Sequence, residues 1–217
     1  MPIVHAFECG PVATMSYLVC DLTSASAYVV DTPYGCTEPV MEEAQRQGCA
    51  ITDILLTHTH WDHTADCASL AAATGARVVV HAADQYRLTD PMAHSIWPLP
   101  FTIPPVVNAT IVDGESGIIE VGGGQAPLRF IHTPGHTEGG ICFVDDTSRY
   151  CFAGDTLFQG SVGRVDLPGG SGATLLESIR TRLFELPDEM IVFPGHGPTT
   201  TIGYERRDNP FVGENAE

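Results

Sequence analysis

Apolar and polar positions divide this chain into short runs separated by turn residues, not into long periodic stretches. Residues 3–7, 14–20 and 27–30 are apolar or alternating, with Gly10-Pro11 and Thr23-Ser24 between them, which predicts three β-strands. Asp31-Thr32-Pro33 ends this group. Residues 37–47 carry helical spacing, with Thr37 as a candidate cap, Pro39 in the first turn and Gly48 at the end. Residues 51–56 return to strand, 64–74 read as an alanine-rich helix stopped by Gly75, and 77–81 as the next strand. The second half repeats this succession. Strands are predicted at 110–112, 118–121, 128–132, 141–144 and 150–153, a helix at 173–186 and a last strand at 190–193. Strands followed by helices, twice over, suggest two sheet-plus-helix halves packed face to face.

Residues 90–105 break the pattern. Five prolines, at 91, 98, 100, 104 and 105, surround Trp97 and Phe101. That is the composition of an ordered loop, and it suits either a wall over a substrate or packing beneath the domain.

Composition narrows the function classes. The 217 residues are read as one domain spanning 1–217, and 43% hydrophobic content is ordinary for a globular protein. No apolar stretch reaches the roughly 20 residues that cross a bilayer, so no membrane partner is expected. Met1-Pro2-Ile3-Val4-His5 shows no secretory pattern, and a cytoplasmic location is the expectation. The formal charge is −17, with 27 acidic residues against 10 basic, all of them arginine. Nucleic acid is therefore not an expected partner. The lack of lysine excludes Schiff-base and phosphate-loop chemistry. Seven cysteines, without a C-x-x-C pair and mostly among apolar neighbours, read as buried free thiols.

Candidate chemistry begins at Thr57-His58-Thr59-His60-Trp61-Asp62-His63, directly after the apolar run Ile54-Leu55-Leu56. Imidazole and carboxylate are the N and O donors of borderline divalent metals. Three later segments follow the same grammar, a donor beside glycine just past an apolar run: His132-Thr133-Pro134-Gly135-His136-Thr137, Gly154-Asp155-Thr156 and Pro194-Gly195-His196-Gly197. Together they offer His58, His60, Asp62, His63, His136, Asp155 and His196. Seven donors exceed one tetrahedral ion with an open position and suit two, which in two-metal sites lie about 3.5–4 Å apart. His5, His81 and His94 lack this context and read as structural or exposed. His132 suits either orienting a ligand or plain packing. Cys67 is close in sequence but is not read as a ligand.

The pattern T-H-x-H-x-D-H with H-T-P-G-H-T, G-D-T and P-G-H-G resembles the metallo-β-lactamase superfamily across nearly the whole chain. The resemblance implies an α/β fold, a four-layer αββα sandwich with metals at one edge. It implies that His58, His60 and His136 hold one metal, that Asp62, His63 and His196 hold a second, and that Asp155 bridges them. Within the superfamily the chain is most similar to the glyoxalase II (hydroxyacylglutathione hydrolase) group, in a compact bacterial branch. The segments that carry this are Gly154-Asp155-Thr156-Leu157-Phe158, Gly160-Ser161-Val162-Gly163-Arg164, Asp166-Leu167-Pro168-Gly169-Gly170 and the run from Pro194 to Phe211. Two departures stand out: the sequence stops soon after Phe211, where the longer enzymes continue into a helical extension, and it has no lysine for a glutathione carboxylate.

The activity so implied is hydrolysis of a small-molecule thioester such as S-lactoylglutathione. Two divalent ions, zinc with iron or manganese as alternatives, would supply a bridging hydroxide, and Asp62 would relay a proton. Arg164, Arg206 and Arg207 are candidates for an anionic substrate tail. For Arg206 and Arg207, surface pairs with Glu205 and Asp208 are the competing reading. A non-haem iron persulfide dioxygenase on the same fold and a lactonase are the alternative activities. The sequence leaves the oligomeric state open.

Overall fold

The computed structural model describes residues 1–122 and 126–216. Two six-stranded sheets form its centre. The first contains β1 (Ile3–Cys9), β2 (Thr14–Asp21), β3 (Ser26–Val30), β4 (Ala50–Leu55), β5 (Arg77–His81) and β6 (Thr110–Val112), in that spatial order. β1 to β3 form an antiparallel meander, and β3 to β6 run parallel. Parallel neighbours need crossovers. Helix α1 (Thr37–Gln47) supplies one, and α2 (Trp61–Thr64) with α3 (Cys67–Thr74) supply the next. β3 is buried at every residue, as a central strand covered on both faces must be.

The second sheet contains β7 (Ser116–Val121), β8 (Ala126–His132), β9 (Ile141–Asp145), β10 (Tyr150–Gly154), β13 (Ile191–Pro194) and β14 (Thr200–Thr201), with order β14-β13-β10-β9-β8-β7. The short hairpin β11 (Leu157–Phe158) and β12 (Ser161–Val162) lies between β10 and the helical segment that precedes β13.

Three apolar layers hold four structural layers together. Leu18, Val29 and Ile54 pack outward on Val40 and Ala44 of α1 and Leu70 of α3. Tyr17, Val19, Tyr28 and Leu55 face inward against Leu128, Phe130, Phe143 and Phe152 of the second sheet. Cys142, Val144 and Cys151 pack outward on Leu175, Ile179 and Leu183. Helix–sheet–sheet–helix is therefore the architecture, as the sequence pattern implies.

The helices differ from expectation in three places. The helix predicted at 64–74 begins earlier and breaks at Ala65-Asp66. There Asp66 accepts hydrogen bonds from the Gly35 and Thr37 amides and from Thr37 Oγ1, each at 3.0 Å. The start of α1 is thus satisfied by a distant carboxylate, and Thr37 donates instead of capping. The predicted 173–186 helix is α6 (Gly172–Ser178) followed by a π turn over Ile179–Leu183. The wider turn keeps Leu175, Ile179 and Leu183, four residues apart, on one buried line. Three short helices escaped the sequence pattern: α4 (Gln85–Thr89), α5 (Pro91–His94) and α7 (Ile202–Asp208). Among the described residues, no helix is long and apolar enough to cross a membrane.

Candidate metal centre

The C-terminal ends of β3, β4, β8, β10 and β13 meet at one edge of the sandwich. Asp31 follows β3, the histidine cluster follows β4, His136 follows β8, Asp155 follows β10 and His196 follows β13. Backbone bonds lock these ends together: the Gly195 amide donates to Gly154 O at 2.8 Å, and Met15 donates to Gly195 O at 2.8 Å. Gly195 has no alternative, since a Cβ there would collide with Asp155 Oδ1 and the His63 ring. Gly154, at φ +49°, would collide with Thr57.

The structure brings all seven predicted donors together. His58, His60 and His136 form one tight group, and Asp62, His63 and His196 another; His58, His63 and Asp155 form a third between them. Asp155 reaches both sides, with Oδ1 3.3 Å from His63 Nε2 and Oδ2 3.5 Å from His136 Nε2 and 3.6 Å from His196 Nε2. Asp62 Oδ2 lies 3.4 Å from His63 Nε2 and 3.3 Å from His196 Nε2.

Hydrogen bonds behind the rings fix which nitrogens point inward. His136 Nδ1 donates to Arg164 O at 2.7 Å, and His63 Nδ1 donates to Asp31 Oδ2 at 2.8 Å. Thr57 Oγ1 donates to Asp31 Oδ2 at 2.7 Å, leaving its oxygen to accept from His58 Nδ1 at 3.2 Å. The Nε2 lone pairs of His58 and His136 therefore face one another at 3.2 Å, with His60 Nδ1 2.9 Å from His136 Nε2. His63 Nε2 and Asp155 Oδ1 are buried without a hydrogen-bond partner among the described residues. Buried acceptors converging on acceptors repel unless a cation lies among them. The donor set fits divalent metal ions.

Ionisation follows the same logic. Burial, with His63 and His136 alongside, pushes the His58 imidazolium well below the usual histidine range. Burial and His136 push His60 down to about 3, against Asp62 and Asp155. Burial would raise Asp155, but His63, His136 and His196 outweigh it and hold its carboxyl at about 2. For His63 burial opposes charge, yet Asp62, Asp155 and Asp31 overcome it and raise the ring. His58 and His60 are thus kept neutral and Asp155 ionised, the forms in which imidazole and carboxylate bind a metal.

Three supporting residues were not foreseen. Asp31, a non-glycine residue at φ +57°, anchors Thr57 and His63. Its signal was present, because it too follows an apolar run. Thr14, fully buried, donates to Asp62 Oδ2 at 2.9 Å. Asp84 accepts from the Thr59 and Gly139 amides and from Thr137 Oγ1, tying the first donor loop to the second. Neither Thr14 nor Asp84 has a signal in sequence, since each acts across the fold. His132 stacks on His81 with centroids 4.1 Å apart and bonds Glu138 O, which is packing; His5 pairs with Glu43. Cys67, the first residue of α3, is buried in the outer layer.

A cavity of about 520 Å³ opens beside the cluster, and His60, Asp62, His136, Asp155 and His196 line its floor. Pro91, Ala93, His94, Ile96 and Trp97 form one wall, so the proline-rich segment covers the site, and His94 belongs to it after all. Of the three arginines proposed for an anionic tail, only Arg164 lines this cavity. Arg206 is turned to Asp188 and to the carbonyls of Phe184 and Leu186, and Arg207 faces Asp188 at 3.9 Å. Both lie on α7, and neither lines the cavity. Their partner is Asp188, not Glu205 or Asp208. Glu205 is buried, accepting from the Gly160 amide and Asn209 Nδ2.

The sequence profile of the metallo-beta-lactamase superfamily matches residues 9–196. The chain belongs to that superfamily. It is 33% identical to the hydroxyacylglutathione hydrolase GloC of Haemophilus influenzae, over 86% of this chain and 87% of that protein. The crystal structure of the BLEG-1 B3 metallo-beta-lactamase superposes with a TM-score of 0.86 at 32% identity, covering 97% of this chain and 99% of the other. A di-iron-bound form of TTHA1623 does so at 0.83 and 34%, covering 96% and 100%.

Proposed function

We propose that this metallo-β-lactamase-fold protein hydrolyses a small-molecule thioester, with hydroxyacylglutathione thioesters such as S-lactoylglutathione as the reference class. The observation that carries the reading is the pair of three-donor groups sharing Asp155 on the floor of an open cavity. His58, His60 and His136 would hold one ion and Asp62, His63 and His196 the other. Bound divalent ions, zinc, iron or manganese, supply Lewis acidity that lowers the pKa of water and stabilises charge on a carbonyl oxygen. Asp62 lines the cavity with its carboxyl held below the usual range, despite burial, by His63 and His196. It would take the proton of an attacking water and pass it to the departing thiolate or to solvent. A thiolate leaves with little acid assistance, since a free thiol has a pKa near ~8.5. The relative named for hydroxyacylglutathione hydrolysis supports this class.

The test is a hydrolysis screen on protein whose metals have been counted. S-lactoylglutathione is compared with other thioesters, lactones and a β-lactam, and oxygen uptake is followed with glutathione persulfide. Thioester turnover that falls at least a hundredfold in His58→Ala is the expected result. Oxygen uptake without thioester hydrolysis would assign the dioxygenase activity instead, and turnover of lactones alone the lactonase activity.

A further inference from the structure

The walls of the cavity differ in character from its floor. Trp61, Trp97, Ile96, Phe158 and Leu167 present apolar surface beside the donor cluster. Ile96 and Trp97 are 51% and 44% exposed, so this surface is open to a ligand. It continues outward, with Trp61 tilted on Phe101 at 6.1 Å and Phe101 stacked on Tyr34 at 4.2 Å.

The cationic side chains of the wall are already engaged. Arg164 gives Nε and a terminal nitrogen to the two oxygens of Asp166, at 2.8 and 2.7 Å, and its guanidinium lies 5.5 Å from the Trp97 ring centroid. Arg87 is buried and bonded to Asp84, Glu138 and Pro168 O. Tyr86 donates to Glu138, and Thr59 to Asp84 O. A substrate with two carboxylates would have to break the Arg164–Asp166 pair to find a cation here. An uncharged apolar group needs no such exchange, and it gains by leaving water.

We propose, resting on the thioester-hydrolase reading, that the preferred substrate is a thioester bearing an uncharged aryl or medium-chain apolar group seated between Trp61, Trp97, Ile96 and Phe158, and not one recognised through the carboxylates of glutathione. The specificity-determining residues are then Ile96 and Trp97 of the proline-rich wall. Arg164, paired with Asp166, is not an anion receptor.

Both tryptophans of the chain line the cavity, so their fluorescence reports occupancy directly. Metal-loaded protein is titrated with two non-hydrolysable thioethers, S-(4-phenylbutyl)-N-acetylcysteamine and S-methylglutathione. The apolar thioether should bind at least tenfold more tightly. Trp97→Ala, with Trp61 still reporting, and Ile96→Asp should each weaken it about tenfold, while Arg164→Gln shifts neither ligand more than twofold. Equal affinity for the two ligands, or a tenfold loss of S-methylglutathione in Arg164→Gln, would overturn the proposal. Hydrolysis separates it from the reading on which it rests. A higher kcat/KM for S-lactoylglutathione than for S-(4-phenylbutanoyl)glutathione defeats the apolar preference and leaves the hydrolase intact. No turnover of any thioester defeats the hydrolase, and the titration then still decides what the slot binds.

Discussion

At the scale of single residues, the centre depends as much on what stands behind the donors as on the donors. Asp31 bonds His63 Nδ1 and Thr57, and Thr57 bonds His58, so one carboxylate orients rings from both groups. Asp31→Asn keeps the shape but removes the charge. Supporting partners of this kind are worth 10–100-fold in metal affinity. The bound metal per chain should fall below that of the parent protein in elemental analysis after dialysis against a weak chelator; an unchanged count would show that Asp31 is dispensable. Thr14→Val removes the hydroxyl that donates to Asp62 Oδ2. If Asp62 moves the proton, kcat should drop about tenfold with little change in KM and a shifted acidic limb of the pH profile. A change confined to KM would argue against that role. Arg206→Ala should leave kcat/KM within twofold of the parent, because neither Arg206 nor its partners, Asp188 and the carbonyls of Phe184 and Leu186, line the cavity.

At the scale of elements, the strands were legible because each is a short apolar run ended by turn residues, and burial follows those runs closely in β2, β3 and β9. The helices were less so. Residues 37–47 do form α1, but its beginning is held by Asp66 at the break between α2 and α3, a bond that no local pattern announces. Asp66→Ala leaves the Gly35 and Thr37 amides without their acceptor and should cost about 1–2 kcal/mol, read as a lower denaturant midpoint. Leu175→Ala, in α6 one turn before the π turn, opens a cavity in a buried layer and should cost about 2–5 kcal/mol. A loss under 1 kcal/mol there would mean that the layer closes around the gap.

At the scale of the whole molecule, stability and metal content are linked. Ions that bind only the folded edge stabilise it by about 2.7 kcal/mol per site at a hundredfold excess over Kd. Chelation should therefore lower Tm, and re-addition of metal should restore it. Alkali acts through the buried thiols. Burial pushes Cys67 from an ordinary 9.0 to about 12, so above pH 9 the unfolded chain gives up a proton that the folded protein keeps. The folded state then binds more protons, and stability falls as pH rises from 9 towards 12, by at most about 1.4 kcal/mol per pH unit for this group. Urea midpoints at pH 8 and pH 10.5 should show the decline, and Cys67→Ala should lessen it.

The sequence alone determined the strands, the architecture that their alternation with helices implies and the seven metal-type donors, because each of these is written in neighbouring residues: an apolar run, a turn, a donor beside glycine. The tertiary structure decided how Asp31, Thr14 and Asp84 support those donors, that residues 91–97 wall the cavity, and that Arg206 and Arg207 turn to Asp188. Such matters depend on which strand ends meet and which way a helix faces, and these follow from packing between segments far apart in the chain.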